Sequence, residues 1–573
     1  MQKPTIAIIG AGPAGLASAR HFKELGDVTI FDAKKEVGGM WVYTDYNEFN
    51  HPNLESDGYY RLYGNIHSSL YKDLMTNIPK NFMCFKDFKH DESTPHIMKA
   101  ETYLKYLQDY SNHFQLTKLI EFNTVVENVR LVKNLSNKEL ESHGLNPNAE
   151  KTFLITTFIG DKPSVKQHRL FDFVLVCTGH YSKPYIPEFP GQKEYEGKQL
   201  HTHHFREVTK ELFGDKRVLL IGTSISANDT IHLLFSEKAV REQATPKQLF
   251  VTGTTTSLLQ GSTDYDALFK SKKMFLKGGK PHSQPIILRF LRLIFTLVSL
   301  IDKVKGKRKV PQPRSKPKTT TTPKPGKAKA VLVSILRFIA FITGLRLLGG
   351  LKRRLAAAFI RKVTSKNTRG GVKSFGKGKI VHFNDGTSEV IDTVIYATGY
   401  LTSLPFLTNN NDKIIEFDEG DPGHYFGPLY KRIFAINQPK LMFVGFSSRN
   451  LNSHPTVERQ IMIAKQVSQG LVKLPAKEDM LAELNEELRR LVEDWKMKKS
   501  TYYSFGPGYT AEQYQKDLIA MNVLEEDESY RIMEPITKNV ISIGLSGNFG
   551  QLKTFDYGKY VDGVPYNPTA AKF

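Results

Sequence analysis

Gly10-Ala-Gly12-Pro13-Ala14-Gly15 follows the apolar run Thr5 to Ile9 and opens the pattern Leu16 to Phe22. About two hundred residues later, Gly222-Thr-Ser224-Ile-Ser226-Ala227-Asn228 follows Val218 to Ile221 and opens Asp229 to Phe235. Each reads as strand, tight turn and helix, the context in which such a motif binds a dinucleotide. The backbone must approach a pyrophosphate closely, so the turn residues are small, and the helix N-terminus supplies amide donors and positive potential. One such turn serves one dinucleotide. Two predict two, and the pair that makes chemical sense is a flavin and a nicotinamide, between which a hydride moves.

The two turns differ in detail. Asp32 ends the second strand, Val28 to Phe31, where an acid meets a ribose hydroxyl. Gly38-Gly39-Met40-Trp41 follows as a close-approach loop suited to a flavin dinucleotide. The second turn has Ser224 and Ala227 where the strict fingerprint has glycine, and no acid closes its next strand, Gln248 to Thr252. An acid there would repel a 2′-phosphate, so its absence favours NADPH over NADH.

The elements around these turns resemble one family. Tyr195-Glu-Gly197-Lys-Gln-Leu-His201-Thr-His-His-Phe205 is similar to the F-x-G-x-x-x-H-x-x-x-F/Y signature of flavin-containing monooxygenases, the class B, dimethylaniline N-oxide-forming type. Asp172 to Gly179 and Asp392 to Tyr400, the latter with Ala397-Thr398-Gly399, resemble the strand-end segments that close the two nucleotide domains of such enzymes. Tyr71-Lys-Asp-Leu-Met-Thr76-Asn77 resembles the segment that sets a threonine and an asparagine beside the flavin. The resemblance covers residues 1 to 258 and 376 to about 550, with its motifs in the family's order.

It implies an α/β fold of two Rossmann-like dinucleotide-binding domains, for FAD and NADPH, the second inserted in the first. The flavin domain then spans residues 1–185 and, with the C-terminal region, 401–573; the nicotinamide domain spans 186–400. The activity implied is an NADPH- and O2-dependent monooxygenase. Its reduced flavin forms a C4a-hydroperoxide that oxygenates soft nitrogen or sulfur atoms of small lipophilic substrates. Such chemistry requires a dry, hydrogen-bonded site and no added acid, base or metal. Asn77 is the expected catalytic donor; Thr398 and Gly399 join the cofactor-binding set.

Departures bear on the details. Asp32 replaces the family's usual glutamate, and threonines stand where many members carry an arginine for the 2′-phosphate, leaving Lys270 as a candidate and Arg217 at the wrong end of its strand. The related Baeyer–Villiger signature ends in tryptophan, here Phe205, which tilts the expectation towards heteroatom oxygenation. Baeyer–Villiger oxygenation, an uncoupled NADPH oxidase releasing hydrogen peroxide, and a membrane-bound interaction module that no longer turns over remain the alternatives. His201, His203 and His204 fit no common zinc spacing, so no metal is expected.

At 573 residues the chain is long enough for two or three domains. Two cysteines, Cys84 and Cys177, offer neither a disulfide framework nor a C-x-x-C redox site and indicate a reducing, intracellular compartment. The N-terminus enters its first strand at once, so its apolar residues read as core and not as a signal peptide.

The net charge of +22 is local. Residues 259–375 hold 28 Lys and Arg against Asp264, Asp266 and Asp302, a net of +25 that leaves the remainder at −3. This insertion carries two apolar runs, Ile286 to Ile301 and Ala330 to Gly349, around a lysine-, proline- and threonine-rich linker, Lys303 to Lys329. Arg289, Arg292, Thr296 and Ser299 share one helical face. At ~1.5 Å per residue the first run reaches roughly 24 Å, short of a bilayer core of about 30 Å. Spanning would also carry the basic linker across the membrane, against the positive-inside tendency. The expectation is a hairpin in the cytoplasmic interface of a membrane, the endoplasmic reticulum, through residues 285–354. Packing on the enzyme or on a second copy as a homodimer, in a cytoplasmic protein, is the alternative. Nucleic acid is not expected, because the segment between the runs lacks aromatic residues to stack on bases.

Overall fold

The computed structural model describes residues 3–45, 68–253 and 369–521, except 77–79, 81–82, 96, 161, 182, 224, 409–411, 419–424, 448–452, 497–498, 505–508 and 510. All of these belong to one compact unit, Met1–Asp264 with Asn367–Phe573. Asn77, Ser224, the Asn228 side chain, Lys270 and both apolar runs of the insertion therefore lie outside the described residues.

A seven-stranded sheet takes strands from both ends of the chain. β1 (Thr5–Ile9) lies inside it, with β2 (Asp27–Phe31) and β3 (Ile120–Glu121) on one side. On the other side come β7 (Phe173–Val176), then Leu441–Phe443, Phe434–Ala435 and Leu429–Tyr430. β1 is parallel to β2 and β7, with Ile8 opposite Ile30 and Leu175. Ile6, Ala7 and Ile8 are wholly buried, as the near-continuous apolar run of a parallel strand covered on both faces should be. Between β3 and β7, β4 (Thr124–Leu131), β5 (Phe153–Ile159) and β6 (Lys166–Phe171) form an antiparallel three-stranded sheet of their own.

α1 (Pro13–Phe22) joins β1 to β2, burying Leu16, Ala17, Ala19 and Phe22, while Pro13 occupies the first turn, where its missing N–H costs nothing. α2 (Ala100–His113) precedes β3 and buries Tyr103, Tyr106, Leu107 and Tyr110. A short strand, β8 (Lys183–Pro184), pairs with Tyr400–Leu401 where the chain passes between the two main sheets.

The second main sheet is all parallel. β9 (Lys198–His201), β10 (Arg217–Ile221) and β11 (Gln248–Thr252) are joined by one late strand, in the order β11, β10, the late strand, β9. α3 (Ile225–Leu234) connects β10 to β11. Sequence pattern makes Lys379 to Phe383 and Val390 to Ala397 the last strands of this domain, and they divide between two sheets. β12 (Val372–Phe375), β13 (Ile380–Phe383) and β14 (Ser388–Val390) make a separate antiparallel sheet, and only β15 (Thr393–Tyr396) enters the parallel one. The alternating burial of β13 is that of a strand covered on one face. Arg217, read from sequence as preceding its strand, is that strand's first residue.

Candidate functional site

The two turns are built alike, atom for atom. The Gly10 N–H donates to the Phe31 carbonyl at the end of β2, and the Gly222 N–H to the Thr252 carbonyl at the end of β11, both at 2.8 Å. Gly10 has φ +106° and Gly222 φ +121°. A Cβ on Gly10 would stand 2.7 Å from the Cys177 carbonyl oxygen, and one on Gly222 2.2 Å from that of Ala397. Each carbonyl is followed by a Thr-Gly pair, Thr178-Gly179 and Thr398-Gly399, whose glycines have φ +69° and +87° and open space beside them. The equivalence is that of two separate dinucleotide folds, not of chance strand-to-helix connections.

At the third fingerprint position the turns diverge. A Cβ on Gly15 would stand 1.8 Å from the Gly10 carbonyl oxygen, so α1 lies directly on its turn. Ala227, wholly buried, carries a Cβ at the matching position of α3. Ser226 is half-buried, and its carbonyl accepts the Thr230 hydroxyl.

The first turn fits a pyrophosphate. Gly12 is extended, caps α1 without a side-chain hydrogen bond, and α1 has no acid in its first turn. The amides at that helix end therefore look outward for an acceptor. A Cβ on Gly12 would touch only the Gly39 Cα, at 3.6 Å, so the protein alone does not require glycine there; close approach by a ligand does. Gly39, φ +58°, comes within the same contact from the other side, and Met40 beside it is exposed. Trp41 turns inward, edge-on to Tyr103 at 4.5 Å.

Asp32 sits where expected but is turned towards the protein. Its carboxylate accepts the Ala11 N–H at 2.6 Å and the Lys34 N–H at 2.7 Å, and burial holds its pKa above the usual value despite those donors. Each oxygen retains a lone pair for a ribose hydroxyl. Gly253 holds the matching position after β11, so no carboxylate stands at that position to repel a 2′-phosphate. Arg217 pairs with Glu389 and lies over the Phe250 ring, away from the turn, as does Arg369.

Thr76 is buried and tied to Met98 twice: its N–H donates to the Met98 carbonyl at 2.8 Å, and its hydroxyl accepts the Met98 N–H at 3.1 Å. The Thr398 hydroxyl donates to the Tyr185 carbonyl, and Tyr185 N–H returns a bond to Gly399.

The signature segment runs from β9 into the seam between the sheets. Gly197 is required because Tyr195 folds over it: a Cβ would meet that side chain's hydroxyl at 2.4 Å and its ring at 2.5 Å, and the hydroxyl donates to the Ile391 carbonyl. His201 ends β9 fully buried, and its Nδ1 accepts the His203 N–H at 3.0 Å, which assigns the ring proton to Nε2. Burial, then the neighbouring His204, pushes the His201 pKa down to about 3; burial, then Arg206, pushes His204 down to about 4. Both rings are neutral at physiological pH and serve as buried spacers. Among the described residues no group of three or more His, Cys, Asp or Glu could hold a metal ion.

These histidines set an acid limit on the fold. Their folded pKa values lie below the 6.5 of free histidine, so their contribution is complete above about pH 6.5 and is lost as pH falls from there towards 4 and 3. The melting temperature should therefore drop more steeply across that window in the parent than in a His201→Gln/His204→Gln double variant. Parallel pH profiles would contradict the assignment.

Several residues packed around the turns and the seam carry no local sequence signal. Lys34 donates from Nζ to the Gly39 carbonyl at 2.7 Å, and burial lowers its pKa to about 8. Gly445, φ +86°, comes from the far end of the chain, and a Cβ there would stand 3.2 Å from that of Ala14 in the first turn. Arg206, wholly buried, donates to the carbonyls of Thr44, Ser68, His203 and Phe205. Tyr71 donates to the Asp229 carboxylate of α3 at 2.7 Å.

Comparison with known proteins agrees with this geometry. The profile of the flavin-binding monooxygenase-like family matches residues 3–257 and 357–510. Human flavin-containing monooxygenase 1 is 26% identical over 490 residues, covering 84% of this chain and 76% of its own. Rat flavin-containing monooxygenase 5 is 27% identical over 491 residues, covering 85% and 77%. Two solved structures share the fold: the S-allyl-L-cysteine S-oxygenase of Allium sativum (TM-score 0.60, 22% identity, 99% of this chain and 96% of that one) and Tmm of Pelagibacter sp. strain HTCC7211 (TM-score 0.57, 19% identity, 95% and 91%).

Proposed function

Since the chain belongs to the flavin-binding monooxygenase-like family, an FAD-dependent, NADPH-using class of enzyme that takes O2, we propose that it oxygenates soft nitrogen or sulfur atoms of small lipophilic substrates through a C4a-hydroperoxyflavin. The observation that carries this reading is the repeated turn: Gly10 and Gly222 make the same strand-end contacts in two separate sheets of one chain. The flavin, reduced by NADPH and combined with O2, supplies an electrophilic oxygen. Everything else falls to the protein.

Its residues do three things. The Gly10–Gly15 and Gly222–Ala227 turns bring helix N-termini to two pyrophosphates. The neutral His201 and His204 and the carbonyl-bound Arg206 fill the seam between the sheets with groups that exchange no proton near neutral pH, which suits a site that must keep protons and water out. Asn77, next in chain to the buried Thr76, is assigned as the neutral amide donor to the reacting oxygen. No general acid or base is required for attack by an amine or thioether.

A tertiary amine, a thioether and a cyclic ketone offered to the NADPH-reduced enzyme separate the readings. Heteroatom oxide formed in proportion to NADPH consumed supports the proposal. Lactone from the ketone alone would establish Baeyer–Villiger oxygenation, and hydrogen peroxide equal to NADPH with every substrate an oxidase.

The basic insertion is proposed to hold the enzyme at the cytoplasmic face of an anionic membrane, the endoplasmic reticulum, where lipophilic substrates partition. The argument is its sequence: a lysine-rich linker, Lys303 to Lys329, flanked by two apolar runs, in an insertion of net charge +25. Its roots lie side by side, since the Arg369 N–H donates to the Val251 carbonyl and the Thr252 hydroxyl to that of Gly370. A short linker can therefore replace residues 259–366 without removing β12 or the contacts of Arg369 and Gly370 to β11. The full chain should sediment with vesicles containing phosphatidylserine and the shortened chain should not; equal sedimentation would assign the basic segment another role.

A further inference from the structure

Hydride transfer requires the nicotinamide and flavin rings to meet at ~3–3.5 Å, yet the two dinucleotides are carried by separate sheets. What fixes one sheet against the other therefore enters the rate. The segment Ser68–Thr76, which leads directly to Asn77, is fastened on both sides. At its far end Thr76 is paired with Met98, on the way into α2. At its near end the Ser68 carbonyl accepts from Arg206, and the Lys72 N–H donates to the Arg206 carbonyl at 2.7 Å. Lys72 and Glu207, and Lys238 with Asp73 and Glu207, add ion pairs between partly exposed groups, of the kind that holds little.

Between these ends, the hydroxyl of Tyr71 donates to Asp229 Oδ2 at 2.7 Å, with its ring edge-on to Phe205 at 6.0 Å. Among the described residues this is the side-chain bond that reaches α3 itself. Asp229 needs explaining on other grounds. It lies one turn into a helix whose N-terminus is to receive a pyrophosphate, where a second negative charge is unfavourable, and it is mostly buried, which raises its pKa. A carboxylate in that position is tolerable when a donor holds it, and the phenol of Tyr71 is that donor.

We infer that Tyr71 and Asp229 are a positioning pair that pins the nicotinamide-binding helix α3 to the segment carrying Thr76 and Asn77, and so sets the distance for hydride transfer to the flavin. The inference rests on reading α3 as the NADPH helix. Neither residue touches a reacting atom in this account.

The test uses the FAD-loaded full chain reduced anaerobically by NADPH, following loss of oxidised-flavin absorbance over a range of NADPH concentrations. Calorimetry with NADP+, bound FAD and melting temperature are measured beside it. Tyr71→Phe and Asp229→Leu should each lower the limiting reduction rate about tenfold, since small misplacements of reacting groups cost that much or more. NADP+ affinity should stay within about threefold and FAD content should be unchanged. The Tyr71→Phe/Asp229→Leu double variant should be no slower than the slower single variant by more than about twofold, because residues acting through one bond are not additive. Asp229→Asn, which keeps an oxygen acceptor, should recover most of what Asp229→Leu loses.

A Tyr71→Phe rate within about twofold of the parent would overturn the pin alone, as would independent effects in the double variant. Loss of FAD or of the melting transition in Tyr71→Phe would make the tyrosine a folding residue and also overturn it. A parent that NADPH does not reduce would overturn the reading of α3, and the pin with it.

Discussion

Gly222→Ala should give a folded, yellow protein whose flavin NADPH no longer reduces at ordinary concentrations. The glycine has φ +121°, where a side chain strains the backbone by ~1–3 kcal/mol. Its new Cβ would stand 2.2 Å from the Ala397 carbonyl oxygen and 2.8 Å from the carbonyl carbon, both backbone atoms at the end of β15. Neither can rotate aside. Relief requires β10 and β15 to part or the turn to reroute, and either lifts the N-terminus of α3 from the pyrophosphate. A loss of ~3 kcal/mol in binding corresponds to about a hundredfold in NADPH affinity. FAD content should be unaffected, because Gly10 to Gly15 and Asp32 belong to the other sheet. Calorimetry with NADP+ and anaerobic reduction check both halves, and affinity within about threefold of the parent, ~0.7 kcal/mol, would remove the second turn from the site.

Gly15→Ala should do the complementary damage and yield a colourless protein. The clash is harder, 1.8 Å from the Gly10 carbonyl oxygen, with the Cys177 side chain 3.5 Å away on another side. α1 cannot withdraw cheaply, since Leu16, Ala17, Ala19 and Phe22 are fully buried in the flavin-domain core. The turn itself must open, and the FAD pyrophosphate loses its cradle. Bound FAD should fall below about a tenth of the parent's, and with it the stabilisation a tightly held cofactor gives the native state, ~4 kcal/mol at a thousandfold excess over Kd. Gly144→Ala is the control for Gly222→Ala: that glycine is exposed with φ +71° and nothing within 4 Å of a Cβ, so it carries the backbone strain without the clash. Full FAD content in Gly15→Ala, measured by flavin absorbance after denaturation, would contradict the packing argument.

What could be read from sequence was what short-range geometry forces. Gly10 and Gly222 answer to steric limits set by carbonyls a strand away and Gly15 to the Gly10 carbonyl of its own turn, so their spacing survives in the sequence as a pattern. The place of Asp32 was legible for the same reason, but its inward turn onto Ala11 was not, because one methylene fewer than glutamate changes reach without changing charge. Gly197 announced a close contact whose cause, the Tyr195 ring lying over it, only the fold supplies.

The seam was illegible. Arg206 binds carbonyls at Thr44 and Ser68, Tyr71 meets Asp229, and Gly445 approaches Ala14, each across a long stretch of chain, and no periodicity records such pairs. That β13 pairs outside the parallel sheet was not legible, because strand pattern gives pleat and burial but not the partner. That His201 is neutral through burial, with His204 beside it, needed the structure.

The central claim is tested most directly by reducing the FAD-loaded enzyme with NADPH without oxygen, mixing in O2, and following the flavin spectrum by stopped flow. The account predicts an oxygenated flavin that persists in the absence of substrate, decays faster when an amine or thioether is added, and is shorter-lived in Asn77→Ala. Immediate return to oxidised flavin with an equal amount of hydrogen peroxide, unchanged by any substrate, would contradict it.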